Sequence, residues 1–114
     1  MEGEELAFHH LGRSGYKVLL RNYECALGEI DIIAKHEGAL VFIEVKTRST
    51  KEMGCPAEAV TREKRRQIVK CAQYYLKRYG ICDAACRFDV VSVLIPLGCA
   101  PEIEIIENAF GEGE

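Results

Sequence analysis

The stretch GEIDIIAKHEGALVFIEVK, Gly28 to Lys46, holds two apolar runs separated by a short polar break. Both runs carry acidic residues, and the second ends in a Lys two places after a Glu. A charge beside a core must be paired or bind a metal, so these positions need a reason. Gly28 to Ala34 and Ala39 to Thr47 read as paired strands joined by a tight turn at Glu37-Gly38. With that turn, Ile33 faces Phe42 and Asp31 faces Glu44. Side chains alternate along a strand, so Glu29 and Asp31 share one face with Glu44 and Lys46. Ile30, Ile32, Ile43 and Val45 point to the other face.

Two carboxylates that close repel unless a proton or cation lies between them. Oxygen ligands suit Mg²⁺ or Mn²⁺, and such an ion can acidify a bound water and stabilise charge on a transferring phosphate. Lys46 is placed to orient or deprotonate that water. The competing reading is an amphipathic hairpin with one solvated face, on which Glu44 and Lys46 only solubilise the strand.

Outward from the hairpin, residues 3–14 suggest a short helix and Tyr16 to Asn22 a strand, with Cys25 to Gly28 as a connection. Residues 48–60 are loop-like, with Gly54 and Pro56 as breakers. A long helix is expected from Thr61, as N-cap, to Tyr79, with Gly80 as its stop. Its apolar stripe is Ile68, Ala72, Tyr75, Leu76 and Tyr79. Arg87 to Ile95 reads as a buried strand and Glu102 to Glu107 as an edge strand. The order α-β-β-β-α-β-β, with a helix crossing between strands, points to an α/β domain with a mixed sheet flanked by helices.

At 114 residues, the chain is expected to form one domain, 1–114, with a core that needs no staples. Hydrophobic and charged fractions of 48% and 29% exclude disorder as the default. No apolar run approaches the roughly 20 residues that span a membrane. The acidic start MEGEELAFHH is unlike a secretory signal, so a cytoplasmic location is expected. Six cysteines are then read as reduced thiols. Cys82 and Cys86 have C-x3-C spacing compatible with zinc, but no second pair accompanies them. The net charge of −3 argues against a broad nucleic-acid surface, yet Arg62, Lys64, Arg65, Arg66, Lys70, Lys77 and Arg78 crowd one segment. That segment is either a phosphate-binding face or a solvated helix surface.

Asp31 followed by Glu44-Val45-Lys46 resembles the core motif of the metal-dependent PD-(D/E)xK nuclease superfamily. GEELA, GEIDIIA, FIEVKTRS, GCPAEAVT, the RR…CAQYYL helix, RFDVV and the terminal NAF recur in the order of the bacterial YraN family, which has an endonuclease-like fold. The chain also looks similar to archaeal Holliday-junction resolvases, which add an acidic residue from the N-terminal helix. The resemblance implies a restriction-endonuclease-like three-layer fold and Mg²⁺- or Mn²⁺-dependent hydrolysis of phosphodiester bonds in DNA. The resolvase likeness points to branched or repair-related DNA. By resemblance, Asp31 and Glu44 bind metal and Lys46 serves catalysis. Glu5 matches the added acid, with Glu4 as its rival. The usual Pro before the motif Asp is replaced by Ile30. A nucleic-acid-binding module without turnover is the alternative, and a structural adaptor the third. Work on two-fold DNA would suit a homodimer.

Arg48, Arg62, Lys64, Arg65, Arg66 and Lys70 are the candidate nucleic-acid contacts, and Glu29 and Gln73 the supporting polar groups. Each has a plainer reading as exposed surface. Thr47 and Ser49 are either phosphate contacts or an ordinary strand exit. Asp89, inside an apolar strand, is read as pairing with Arg87 or a helix base rather than joining the site. His9 and His10 are read as surface or packing groups, His36 as a turn residue, and Tyr74, Tyr75 and Tyr79 as helix packing.

Overall fold

A computed structural model describes residues 2–50 and 59–112. Helix α1, Glu2–Arg13, has three acids in its first turn and Arg13 in its last, both favourable to the helix dipole. It buries Gly3, Ala7 and Leu11 against the sheet. Strands β1 (Lys17–Cys25), β2 (Gly28–His36) and β3 (Ala39–Arg48) follow as an antiparallel meander. Helix α2, Arg62–Arg78, then crosses to β4 (Cys86–Leu94), which pairs parallel with β3. Strand β5 (Glu102–Phe110) closes the sheet in the order β1-β2-β3-β4-β5. A parallel pair needs such a crossover.

The mixed sheet lies between the two helices, as the sequence leads one to expect. Phe42, Phe88, Val90 and Ile33 pack with Ile68, Ala72 and Tyr75 of α2. Val41, Ile43, Val91 and Val93 pack with Ala7 and Leu11 of α1 on the other face. The hairpin register is the expected one, with Ile33 opposite Phe42 and Ile32 opposite Ile43. Glu37 and Gly38 both have positive φ, 49° and 83°, which a tight turn of matching twist requires.

Differences from expectation have local causes. Strand β1 runs on to Cys25, so only Ala26 and Leu27 connect it to β2. Strand β5 runs to Phe110 because an irregularity opposite Phe88 and Val90 absorbs Asn108, whose φ is 53°. The Asn108 N–H donates to Asp89 Oδ1 at 2.9 Å instead of to the ladder. Ile30 joins the α2-side cluster while Ile32 faces α1, so strict alternation fails between them. There β2 leaves β3, pairing with it only as far as Ile32, yet stays paired with β1 to Gly28. Tyr79 is the C-cap of α2 and 56% exposed, so it is not core. Most of the loop-like reading of 48–60, with Gly54, Cys55 and Pro56, lies outside the described residues.

The five described cysteines are free. Among the described residues no cysteine joins a group of three potential metal ligands. None of the helices described is long and apolar enough to cross a membrane.

Candidate functional site

The site forms where β2 parts from β3. The last cross-strand pair is Ile32–Ile43, so the Val45 N–H lacks a ladder partner from β2. The Asp31 side chain takes that place, its Oδ2 accepting from Val45 N at 2.8 Å. An aspartate at this point thus closes the end of the ladder and keeps its second oxygen for other use.

Glu44 projects from β3 onto the α2 face and is 7% exposed. Burial first, then the Asp31 charge, pushes its carboxyl up to about 7. The side-chain interaction with Asp31 raises it as well, while the ammonium groups of Lys64 and then Lys46 pull the other way. Near neutral pH the Glu44 carboxyl is therefore partly protonated. Asp31 and Lys46 both lie near enough to Glu44 to act on its charge, but the expected pairing of Asp31 opposite Glu44 does not form, because β2 leaves β3 after Ile32.

Two positions differ from expectation. Glu5 turns to solvent, where Arg21 Nη2 donates to its Oε1 at 2.7 Å and His9 Nε2 lies 3.7 Å from Oε2. The Arg21 hydrogen bond holds Glu5 below the usual carboxylate range. Glu4 is the helix carboxylate that feels the site: burial, then Asp31, with a further push from Glu29, raises it. Gly3 lets α1 approach β3 closely here, since a Cβ there would collide with the Thr47 side chain. The second difference is on α2. Gln73 is exposed and lines a groove with Tyr74 and Lys77, away from the carboxylates. Gln67, one helical turn past Lys64, lines a hollow with Lys64, Gly28 and Glu29. Its amide lies 2.6 Å from where a Gly28 Cβ would stand, and Gly28 has φ 140°. The clue in the sequence is its place beside Ile68, a polar residue bordering the buried stripe.

The basic segment divides. Arg62 is exposed at the start of α2. Arg65 turns inward, its Nε donating to Val60 O at 2.9 Å and its guanidinium lying 5.6 Å from the Phe110 ring centre. Arg66, Lys70 and Lys64 line an open groove of ≈ 700 Å³ with Ala26 and Leu27. Arg48 is half-buried at the end of β3. Thr47 and Ser49 are exposed beside it.

Asp89 belongs elsewhere. Val90 stands opposite Glu44, so Asp89 points to the other face. It is fully buried and accepts from Arg87 at 2.9 Å through each oxygen and from the Tyr16 hydroxyl at 2.7 Å. This agrees with the pairing reading. His36 proves more than a turn residue: it is 8% exposed, stacked on Tyr16 at 3.9 Å, with Nδ1 2.8 Å from Arg87 Nη2. Among the described residues, His36, Glu37 and Glu107 alone bring three ligand atoms within 4.8 Å. The Arg87 guanidinium, 3.6 Å from Glu107, already supplies the positive charge there.

The profile described as "Uncharacterised protein family UPF0102" matches residues 3–93. The chain belongs to the UPF0102 family. A UPF0102 protein of Geobacter sulfurreducens is 47% identical over 110 residues, covering 96% of this chain and 86% of that relative. One from Lachnoclostridium phytofermentans is 47% identical over 108 residues, covering 94% and 87%. One from Caldicellulosiruptor saccharolyticus is 43% identical over 109 residues, covering 95% and 92%. Asp31, Glu44, Lys46, Lys64 and Gln67 all lie within the matched span, as does Glu4.

Proposed function

We propose that this UPF0102 protein is a divalent-metal-dependent endonuclease that hydrolyses phosphodiester bonds in DNA. The observation that carries the reading is Glu44, a carboxylate buried against Asp31 with two lysines near it. Nothing in a merely solvated strand face calls for that burial.

The donor set fits Mg²⁺ or Mn²⁺. Asp31 and Glu44 offer hard oxygen ligands, and the open end of the sheet leaves room for the waters and phosphate that Mg²⁺ prefers to keep. Such an ion would supply charge neutralisation and an acidified water. Asp31, held by the Val45 N–H, presents one oxygen in a fixed direction. Glu44 would have to give up its proton to hold such an ion. Lys46 is set to orient or deprotonate the attacking water, and Lys64 to hold a phosphate oxygen from the α2 side. Glu4 adds negative charge from α1 and favours occupancy by a cation. Arg66 and Lys70 then take the neighbouring phosphates.

Calorimetric titration with Mn²⁺ should give one ion per chain, lost in Asp31→Asn and in Glu44→Gln. Those variants and Lys46→Ala should each lower cleavage of branched or nicked DNA at least ~100-fold while circular dichroism stays unchanged. Cleavage that survives all three substitutions would end the assignment. Salt-dependent DNA binding with no cleavage on any substrate would select a binding module instead.

A further inference from the structure

A second groove lies farther along α2 from the carboxylates, and of its lining only Lys70 enters the chemistry above. Leu27, in the two-residue turn before Gly28, is 48% exposed, and Tyr74 on α2 is 38% exposed. They line one groove of ≈ 540 Å³, together with Lys70, Gln73, Lys77 and Arg78. Its neighbour Tyr75 turns inward to Tyr23 and Phe42. Tyr74 thus presents its ring outward, with Leu27 lining the same groove.

The groove is continuous with the site. Leu27 and Lys70 also line the groove that holds Arg66, Lys64 and Gln67. Lys64 and Gln67 in turn line the hollow at Glu29. Arg66, Lys70, Tyr74 and Arg78 stand four residues apart, so they form one row along α2. From Lys64 to Arg78 the helix rises about 21 Å. The row offers cations at intervals for phosphates and one apolar station between them.

Backbone charge alone would bind a duplex, whose bases are stacked inside and need no apolar floor. An aromatic face beside cations is what an unpaired base requires, since every base has a π-face to stack. We infer that the Leu27–Tyr74 groove receives an unpaired nucleobase, so that the substrate class is DNA with a single-stranded stretch next to the cleavage point. This rests on the nuclease reading for the direction of the strand toward Asp31 and Glu44, but the groove binds without turnover.

The test is fluorescence anisotropy in EDTA with the whole protein and three labelled DNAs: oligo-dT, a blunt duplex and a forked duplex. The protein should bind oligo-dT and the fork more tightly than the blunt duplex. Tyr74→Ala should weaken binding of oligo-dT and the fork about tenfold and leave the blunt duplex unchanged, with Tyr74→Phe restoring both. Leu27→Ser, on a different element, should act in the same direction. Equal affinity of the native protein for all three DNAs, or no effect of Tyr74→Ala on oligo-dT, overturns the inference. Cleavage is assayed separately with Mn²⁺. Cleavage of duplex that ignores Tyr74 leaves the nuclease reading standing and the groove refuted. A Tyr74-dependent preference with no cleavage does the reverse.

Discussion

Glu44 is raised because burial and Asp31 disfavour its charge, and that has a sign for stability. Its carboxyl binds a proton more tightly in the folded chain than in the unfolded one, where it titrates near 4.5. Its contribution is full below pH 4.5 and is lost as pH rises through about 7. Metal-free protein should therefore lose thermal stability between pH 5 and 8, and Glu44→Gln should flatten that part of the profile. Mn²⁺ should raise the melting temperature of the native chain at pH 8 more than at pH 5, with no such gain in the variant. A melting profile of Glu44→Gln parallel to the native one would place the titration elsewhere. The register of Ile33 opposite Phe42 was readable from a tight turn, whereas the parting of β2 from β3 at Asp31 was not. The choice between Glu4 and Glu5 was not, because adjacent helix residues differ by about 100° and only docking fixes which one faces inward.

At the scale of elements, α2 carries Lys64, Gln67 and the basic row, so its first turn matters to the site. The Thr61 hydroxyl caps it, accepting from Lys64 N at 3.1 Å. Thr61→Ala should cost about 1 kcal/mol in urea unfolding. The same change should loosen Lys64 and weaken Mn²⁺-dependent DNA binding, which Thr61→Ser should restore. Both ends of α2 were legible: Thr61 before the first turn, and Gly80, at φ 63°, after the last. Its rotation was legible from Ile68 and Ala72 but blurred at the rim, where Gln67 and Gln73 both border the stripe. Likewise the Glu37-Gly38 turn announced the hairpin, whereas nothing in the alternation of β2 announced that Ile30 would change clusters once β3 was no longer alongside.

Across the whole molecule, the far end of the sheet is tied by one buried network. Asp89 on β4 links Tyr16 at the foot of β1, Arg87 beside it and the Asn108 N–H of β5, with His36 of β2 stacked on Tyr16. Burial and the Asp89 hydrogen bond raise the Tyr16 hydroxyl, which therefore stays a neutral donor. Asp89→Ala would leave Arg87 with only the exposed Glu107 as counter-charge and should cost about 3–5 kcal/mol in urea unfolding. Mn²⁺ titration of the Asp31 end should be unchanged wherever the variant is still folded. A loss below 1 kcal/mol would mean that the network contributes little to stability. The sequence left Asp89 a choice between Arg87 and a helix base, and the structure pairs it with Arg87, two residues away on the same strand. Tyr16, His36 and Asn108 are remote in the chain and met them only through the stacking of strands.

The sequence by itself determined the α/β class, the hairpin register from Ile32 to Ala39 and the span of α2. Those follow from periodicity, turn chemistry and caps, which act over a few residues. Tertiary structure alone decided that Glu4 rather than Glu5 approaches the carboxylates, that Gln67 rather than Gln73 sits over Gly28, and that Tyr74 stands open to solvent. Each of those depends on how a helix is rotated against the sheet. Close contacts such as Gly3 on Thr47 and Gly28 on Gln67 accompany that rotation, and they join residues that are far apart in the chain.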